Sequence, residues 1–424
     1  MSIAARKINA HFLSSVLAGT ILEWYDFSLF GILTPVISVL FFHLKNSFLA
    51  LLITFGVFAV GFVMRPIGGF IFGYIGDRHG RKTALSLSVI FMALPTCLIG
   101  LLPTWHEIGI YAPVLLIILR LIQGLAASGE YPGAVCFLAE YSSNKHRGFF
   151  TSLSVFGVSG GILLGSFISF LTSYFLTADQ MQVWGWRVCF LLSLPLGLIG
   201  FYLRYKISES KIFTESDRKY KKFFKNGSKN NILGAFRLTL MFALPMVCFY
   251  MITTYVVSFL ASVGKVPLHL GLMSNVVSLL MYIFLVPLCG YISDKTNRKW
   301  MMVIGAVCLL VFSYPIFNYL ISGSVYGLFI GQALLMLFIA IVMGPMTAFS
   351  TESFSTFDRY SGVSIALNIA ASAFGGTTPL ISAFLVHYFR NPVTPCLYII
   401  LMSFLSILVT LSLSNHQEKS LSEI

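Results

Sequence analysis

Charge is scarce in this chain. Asp, Glu, Lys and Arg supply 10% of its 424 residues, against about 25% in an ordinary soluble domain, so water is excluded as the main solvent of the folded molecule. The seven cysteines (Cys97, Cys136, Cys189, Cys248, Cys289, Cys308 and Cys396) stand singly, without a CxxC pair, and the histidines do not cluster. Neither disulfides nor a metal site is implied, and no cofactor is called for. Nucleophile, metal and cofactor constellations of the kind an enzyme needs are missing, as is any appended signalling domain. An enzyme or a membrane sensor is therefore a poor fit.

What the chain has instead is apolar length. It is 57% hydrophobic, with a mean hydropathy of +0.86. Twelve apolar stretches, near 11–41, 47–75, 83–103, 111–139, 148–176, 185–206, 232–263, 269–292, 300–321, 325–351, 361–389 and 394–414, are each long enough to cross a hydrocarbon core about 30 Å thick. The pattern predicts an all-α polytopic membrane protein. A net charge of +13 raises nucleic acid as a partner, but the positions of the charges answer otherwise. With a cytoplasmic N-terminus, 22 of the 28 Lys and Arg fall on the inside and four, Lys45, Arg187, Lys265 and Arg390, fall outside. The positive-inside rule then places both termini in the cytoplasm of a bacterial inner membrane, with the lipid bilayer as partner and no nucleic acid. The first span is too long for a signal-peptide core and is expected to be retained.

The stretch Ser208 to Asn231 is polar and basic, and it divides the spans six and six. The expected organisation is an N-terminal bundle (1–207), a cytoplasmic linker (208–231), a C-terminal bundle (232–414) and a short tail (415–424). An internal repeat supports it. Gly73-Tyr74-Ile75-Gly76-Asp77 with Arg81-Lys82 returns 217 residues later as Gly290-Tyr291-Ile292-Ser293-Asp294 with Arg298-Lys299. Glu140…Arg147-Gly148 is echoed by Glu352…Arg359…Gly362. Two related six-helix halves holding a solute between them is a transporter architecture.

Ionisable groups inside a membrane mark function by default, each costing about 2.5–3.5 kcal/mol on insertion scales. Five qualify: Glu23 and Asp26 in span one, Arg65 in span two, and Arg120 and Glu130 in span four. Glu23 and Asp26 are three apart and share a helix face that should line a cavity. Three acids against two arginines leave one carboxylate short of a partner and able to take a proton; Asp26, with Arg65 in reach, is the first choice. Arg65 is set either to meet a substrate carboxylate or to neutralise Asp26 or Glu23. Gly157-Val158-Ser159-Gly160-Gly161 matches the GxSxG nucleophile pattern, but a membrane helix offers no strand-turn-helix setting, and close helix packing is the better reading.

Four motifs together resemble the metabolite:proton symporter family of the major facilitator superfamily. They are Gly19-Thr20-Ile21-Leu22-Glu23-Trp24-Tyr25-Asp26-Phe27; Met64-Arg65-Pro66-Ile67-Gly68-Gly69 running into the Gly73–Lys82 loop; Arg120…Gln123-Gly124…Gly129-Glu130-Tyr131; and Trp184-Gly185-Trp186-Arg187. The resemblance implies two six-helix bundles and proton-coupled uptake of a small polar metabolite by alternating access, proline or betaine or a small carboxylate among the substrates, by a protein working as a monomer. It places Tyr25, Gln123 and Tyr131 with the buried charges at the proton-coupling and substrate cavity, and Arg120 as a relay or cavity arginine. Gly73, Asp77, Arg78, Gly80 and Arg81, with Asp294 and Arg298 in the repeat, would form the gate. Exporters of the superfamily tend to carry a proline in the glycine cluster of span five, so its absence here favours uptake over the alternatives of an exporter or an uncoupled facilitator. The tail is too short for the coiled coil of osmosensing relatives.

Overall fold

The computed structural model describes residues 10–79, 81–127, 130–205, 229–262, 266–355, 358–417 and 421, and all regular structure among them is helical. Ten helices are long and apolar enough to cross a membrane, and a pair bent by 59°, Leu17–Ile32 with Thr34–Phe41, makes an eleventh. Arg81–Leu101 supplies the remaining span. Residues 208–228 of the expected linker lie outside the described residues, and helix resumes at Lys229.

The breaks have local causes. Span one turns at Leu33, where Pro35 enters the second helix. Span two is Ser47–Val63 and Arg65–His79, interrupted at Met64. Pro66 lacks an N–H and so cannot donate to the Phe62 carbonyl four residues back. Span seven (Lys229–Tyr250, then Val257–Ser262) and span eleven (Arg359–Ala370, then Thr378–Phe389) each contain a π-helical turn, Met251–Val256 and Ala371–Gly375. Such widened turns concentrate at functional sites.

Spans one to six pack among themselves, as do seven to twelve, and the largest contact between the sets joins span five (Arg147–Phe175) to span eight (Leu268–Lys295). Span five also lies along span one, close enough that a Cβ at Gly161 would stand 2.7 Å from the Trp24 Cβ and 2.8 Å from the Tyr25 nitrogen. The GxSxG stretch is therefore a packing surface, as its helical setting implied.

Candidate functional site

Between the two sets lies a cavity lined by Trp24, Arg65, Tyr131, Val155, Val158 and Ser159 from the first half, and by Pro245, Met246, Phe249, Tyr250, Tyr282 and Met343 among others from the second. Five aromatic rings wall it, and Arg65 is the one charged side chain among the described lining residues. The guanidinium carbon of Arg65 stands 5.3 Å from the Trp24 ring centroid, 5.7 Å from Phe62 and 5.8 Å from Phe27, within cation–π range. Its Nε donates to Asn368 Oδ1 at 3.4 Å. Three lining side chains carry a buried polar atom without a hydrogen-bond partner: Arg65 Nη1, Tyr131 Oη and Ser159 Oγ. Buried polar groups are satisfied in the great majority of cases, so three exceptions converging on one cavity mark a place for a polar ligand. A second cavity shares Trp24 and Tyr250 with the first and adds Phe27, Ser28, Phe58, Thr253 and Thr254.

The halves touch on both sides of these cavities. At the end that carries the repeated loops, Asp294 accepts hydrogen bonds from the backbone N–H of Gly148 (2.7 Å) and of Phe149 (2.9 Å). A carboxylate of the second half thereby caps the first turn of span five in the first half, where orphan amides and the helix dipole favour an anion. Asp294 also pairs with Arg298 at 2.6 Å, and Arg298 and Arg147 share the Glu352 carboxylate, Arg147 at 2.6 Å. Glu352 and its two partners are buried, Arg147, Arg298 and Glu352 each exposing 1% or less. The repeat-related pair, Arg359 with Glu140, is looser, at 3.7 Å with Glu140 51% exposed. At the opposite end the described contacts are uncharged: Gly31 packs on Phe58 and Thr254, Ser258 Oγ donates to the Gly31 carbonyl at 3.4 Å, and Phe55 meets Tyr255 with centroids 6.0 Å apart.

The family models for "Sugar (and other) transporter" and "Major Facilitator Superfamily" match residues 12–226 and 266–423. The chain is 32% identical over 416 residues to a glycine betaine/proline/ectoine/pipecolic acid transporter of Dickeya dadantii, covering 95% of this chain and 83% of that one. A proline/betaine transporter of Escherichia coli is 30% identical with the same coverage. The chain belongs to the major facilitator superfamily. A crystal structure of a D-xylose–proton symporter superposes with a TM-score of 0.75 at 18% identity, over 96% of this chain and 98% of that one, which shows the shared fold. This protein is thus a multi-pass membrane transporter and not an enzyme.

The transporter distributes the sequence-predicted residues unevenly. Glu23 is a charged neighbour of Arg65. Among the described residues Asp26 forms no ion pair with Arg65: its carboxylate lies beside Tyr25, Cys97 and Ser193, inside the first half. On span one, Trp24, Phe27 and Ser28 line the cavities; at about 100° per residue Glu23 stands about 90° and Asp26 about 150° from the middle of that face, so Asp26 is turned away from it. Arg120 is fully buried and has no carboxylate partner among the described residues. It bonds Gln123 Oε1 at 2.9 Å and lies on Phe30 (4.6 Å), Phe27 (4.9 Å) and Phe58 (5.6 Å). At Arg120 aromatic rings stand where an acid was expected, whereas Arg65 has both rings and Glu23 nearby. Gln123 also donates to Thr96 Oγ1 at 2.6 Å, and Tyr25 Oη donates to the Cys189 carbonyl at 2.7 Å. Both are packing contacts away from the cavity, whereas Tyr131 lines it. The side chains of Asp77, Arg81 and Glu130, and Gly80 altogether, lie outside the described residues; Gly73 falls in the helix Arg65–His79, and Arg78 donates to Tyr74 Oη at 2.8 Å. Arg147 and Glu352, which pair across the two halves beside Asp294 and Arg298, were not among the candidate site residues, although the repeated Glu…Arg spacing contains them.

Proposed function

We propose that this transporter takes up a small zwitterion, a betaine or proline-like solute, by alternating access coupled to protons, with the repeated-loop end facing the cytoplasm. The observation that carries the reading is the triad of unpartnered donors, Arg65 Nη1, Tyr131 Oη and Ser159 Oγ, in an otherwise aromatic and apolar cavity. A substrate carboxylate satisfies them and neutralises Arg65. The cationic end then rests on the faces of Trp24, Phe249, Tyr250 or Tyr282, since ring quadrupoles attract a desolvated ammonium. That division accounts for a cavity whose described lining has one cation and no carboxylate. The names of the relatives, transporters of glycine betaine and proline, agree with it. Contacts at both ends supply the two barriers that alternating access opens in turn.

Asp26 is the proposed proton site. A carboxylate at 3% exposure, with Oδ1 lacking a hydrogen-bond partner, loses its charge most simply by binding a proton. It acts through the packing of span one on spans three and six, not by releasing Arg65. The test is uptake into proteoliposomes of labelled glycine betaine, proline, a monocarboxylate and choline, with and without an imposed proton gradient. Zwitterions should accumulate with the gradient and collapse without it. Accumulation of choline or the monocarboxylate alone, with the zwitterions neither transported nor competing, refutes the reading.

A further inference from the structure

Arg65 belongs to the first half, but the acceptor of its Nε belongs to the second. The Asn368 amide is fixed in orientation: Nδ2 donates to the Ser364 carbonyl at 3.0 Å and to Ser364 Oγ at 3.4 Å, which leaves Oδ1 to accept from Arg65 Nε. With Nε engaged and the guanidinium carbon among three rings, the Nη edge is what remains for the cavity.

One turn further along span eleven, Ser372 Oγ donates to the Phe62 carbonyl at 2.7 Å. That carbonyl is the one Pro66 cannot serve. A turn beyond, Gly376 lies so close to Phe62 that a Cβ there would overlap its side chain. Residues 368, 372 and 376 thus form one strip of span eleven applied to the break in span two, beside the cavity and across the boundary between the halves.

We propose that Asn368 is a positioning residue for substrate, presenting Arg65 to the carboxylate of the zwitterion, and that Ser372 secures the same contact through the proline-opened carbonyl. Substrate bound at Arg65 is thereby held by both halves, although its only charged contact comes from one. The inference rests on the zwitterion reading above.

The experiment measures glycine betaine exchange by the full-length transporter in proteoliposomes, for the wild type, Asn368→Ala, Asn368→Asp, Arg65→Gln and the double variant Arg65→Gln/Asn368→Ala. Asn368→Ala should raise KM by about tenfold, the size of one hydrogen bond to a charged group, with kcat little changed. Asn368→Asp, which sets a carboxylate on Arg65, should abolish betaine exchange while the protein keeps its wild-type thermal midpoint. The double variant should be no worse than Arg65→Gln, because Asn368 acts through Arg65. If Arg65→Gln loses betaine while Asn368→Ala keeps the wild-type KM, or if the two losses add, the positioning role is overturned and the zwitterion reading stands. If Arg65→Gln itself keeps the wild-type KM, both fall. Should Asn368→Ala fail to fold, Ser372→Ala must raise KM in the same direction, and a wild-type KM there overturns the proposal.

Discussion

Glu352→Gln is the sharpest test of the closure at the repeated-loop end. The carboxylate is shared by Arg147 and Arg298, and all three side chains are almost fully buried. Removing one partner of a buried ion pair costs about 3–5 kcal/mol, because the other charge is left uncompensated. The lower figure applies here, since Arg147 keeps Asn144 and Arg298 keeps Asp294, and opening lets water reach both guanidinia. At 1.36 kcal/mol per decade, ~3 kcal/mol shifts the closed-to-open ratio at this end by about a hundredfold. Glu140→Gln makes the contrast: its carboxylate is half exposed and 3.7 Å from Arg359, so about 0–1 kcal/mol is at stake and at most about fivefold. The assay replaces the native cysteines, places one at cavity-lining Val158, and follows maleimide labelling from each side of oriented vesicles. Labelling from the repeated-loop side should rise strongly in Glu352→Gln and little in Glu140→Gln. Equal labelling of the two variants, or none above the parent, refutes the reasoning.

Asp26→Asn, a permanent imitation of the protonated form, should abolish accumulation against a gradient yet keep exchange of labelled for unlabelled substrate; retained accumulation with unchanged pH dependence moves the proton site to another carboxylate. Asp294→Asn weakens the cap on span five and should slow turnover without loss of ligand binding, read by stopped-flow exchange beside equilibrium binding. For orientation, an impermeant thiol reagent on intact cells should label a cysteine at Gln180 and spare one placed within 208–231; the reverse pattern inverts the molecule. Gly161→Val brings a side chain into the backbone of span one and should lower the thermal midpoint markedly, while the same change at Gly56, where a Cβ meets nothing within 4 Å, should not.

The spans were legible because a membrane demands length and apolarity, and both are written in the order of residues. The repeat was legible too, and with it Asp294 and Arg298. Their partners were less so. Glu352 and Arg147 stood in the sequence echo, but nothing in one dimension says that a glutamate ending span ten meets an arginine starting span five. The rotation of span one was hidden for a related reason: three residues of spacing narrows Glu23 and Asp26 to neighbouring directions, and the choice between them is made by which helix stands there. Least legible were the supports of Arg65 and Arg120. The sequence displays carboxylates as candidate partners, but it cannot mark Phe27, Phe30, Phe58 and Phe62 as different from any phenylalanine facing lipid.

Each half carries a glutamate and an arginine seven residues apart, and the pairs form crosswise: Glu352 with Arg147, Glu140 with Arg359. The two halves of the repeat thus act as mates, each presenting a glutamate and an arginine to the arginine and glutamate of the other. A substitution at one of these positions changes what its partner in the opposite half meets, so the two halves are coupled in what each can tolerate. Produced as separate polypeptides cut within the linker, they should find each other in the membrane, and a reversal of charge on one should be rescued by the matching reversal on the other.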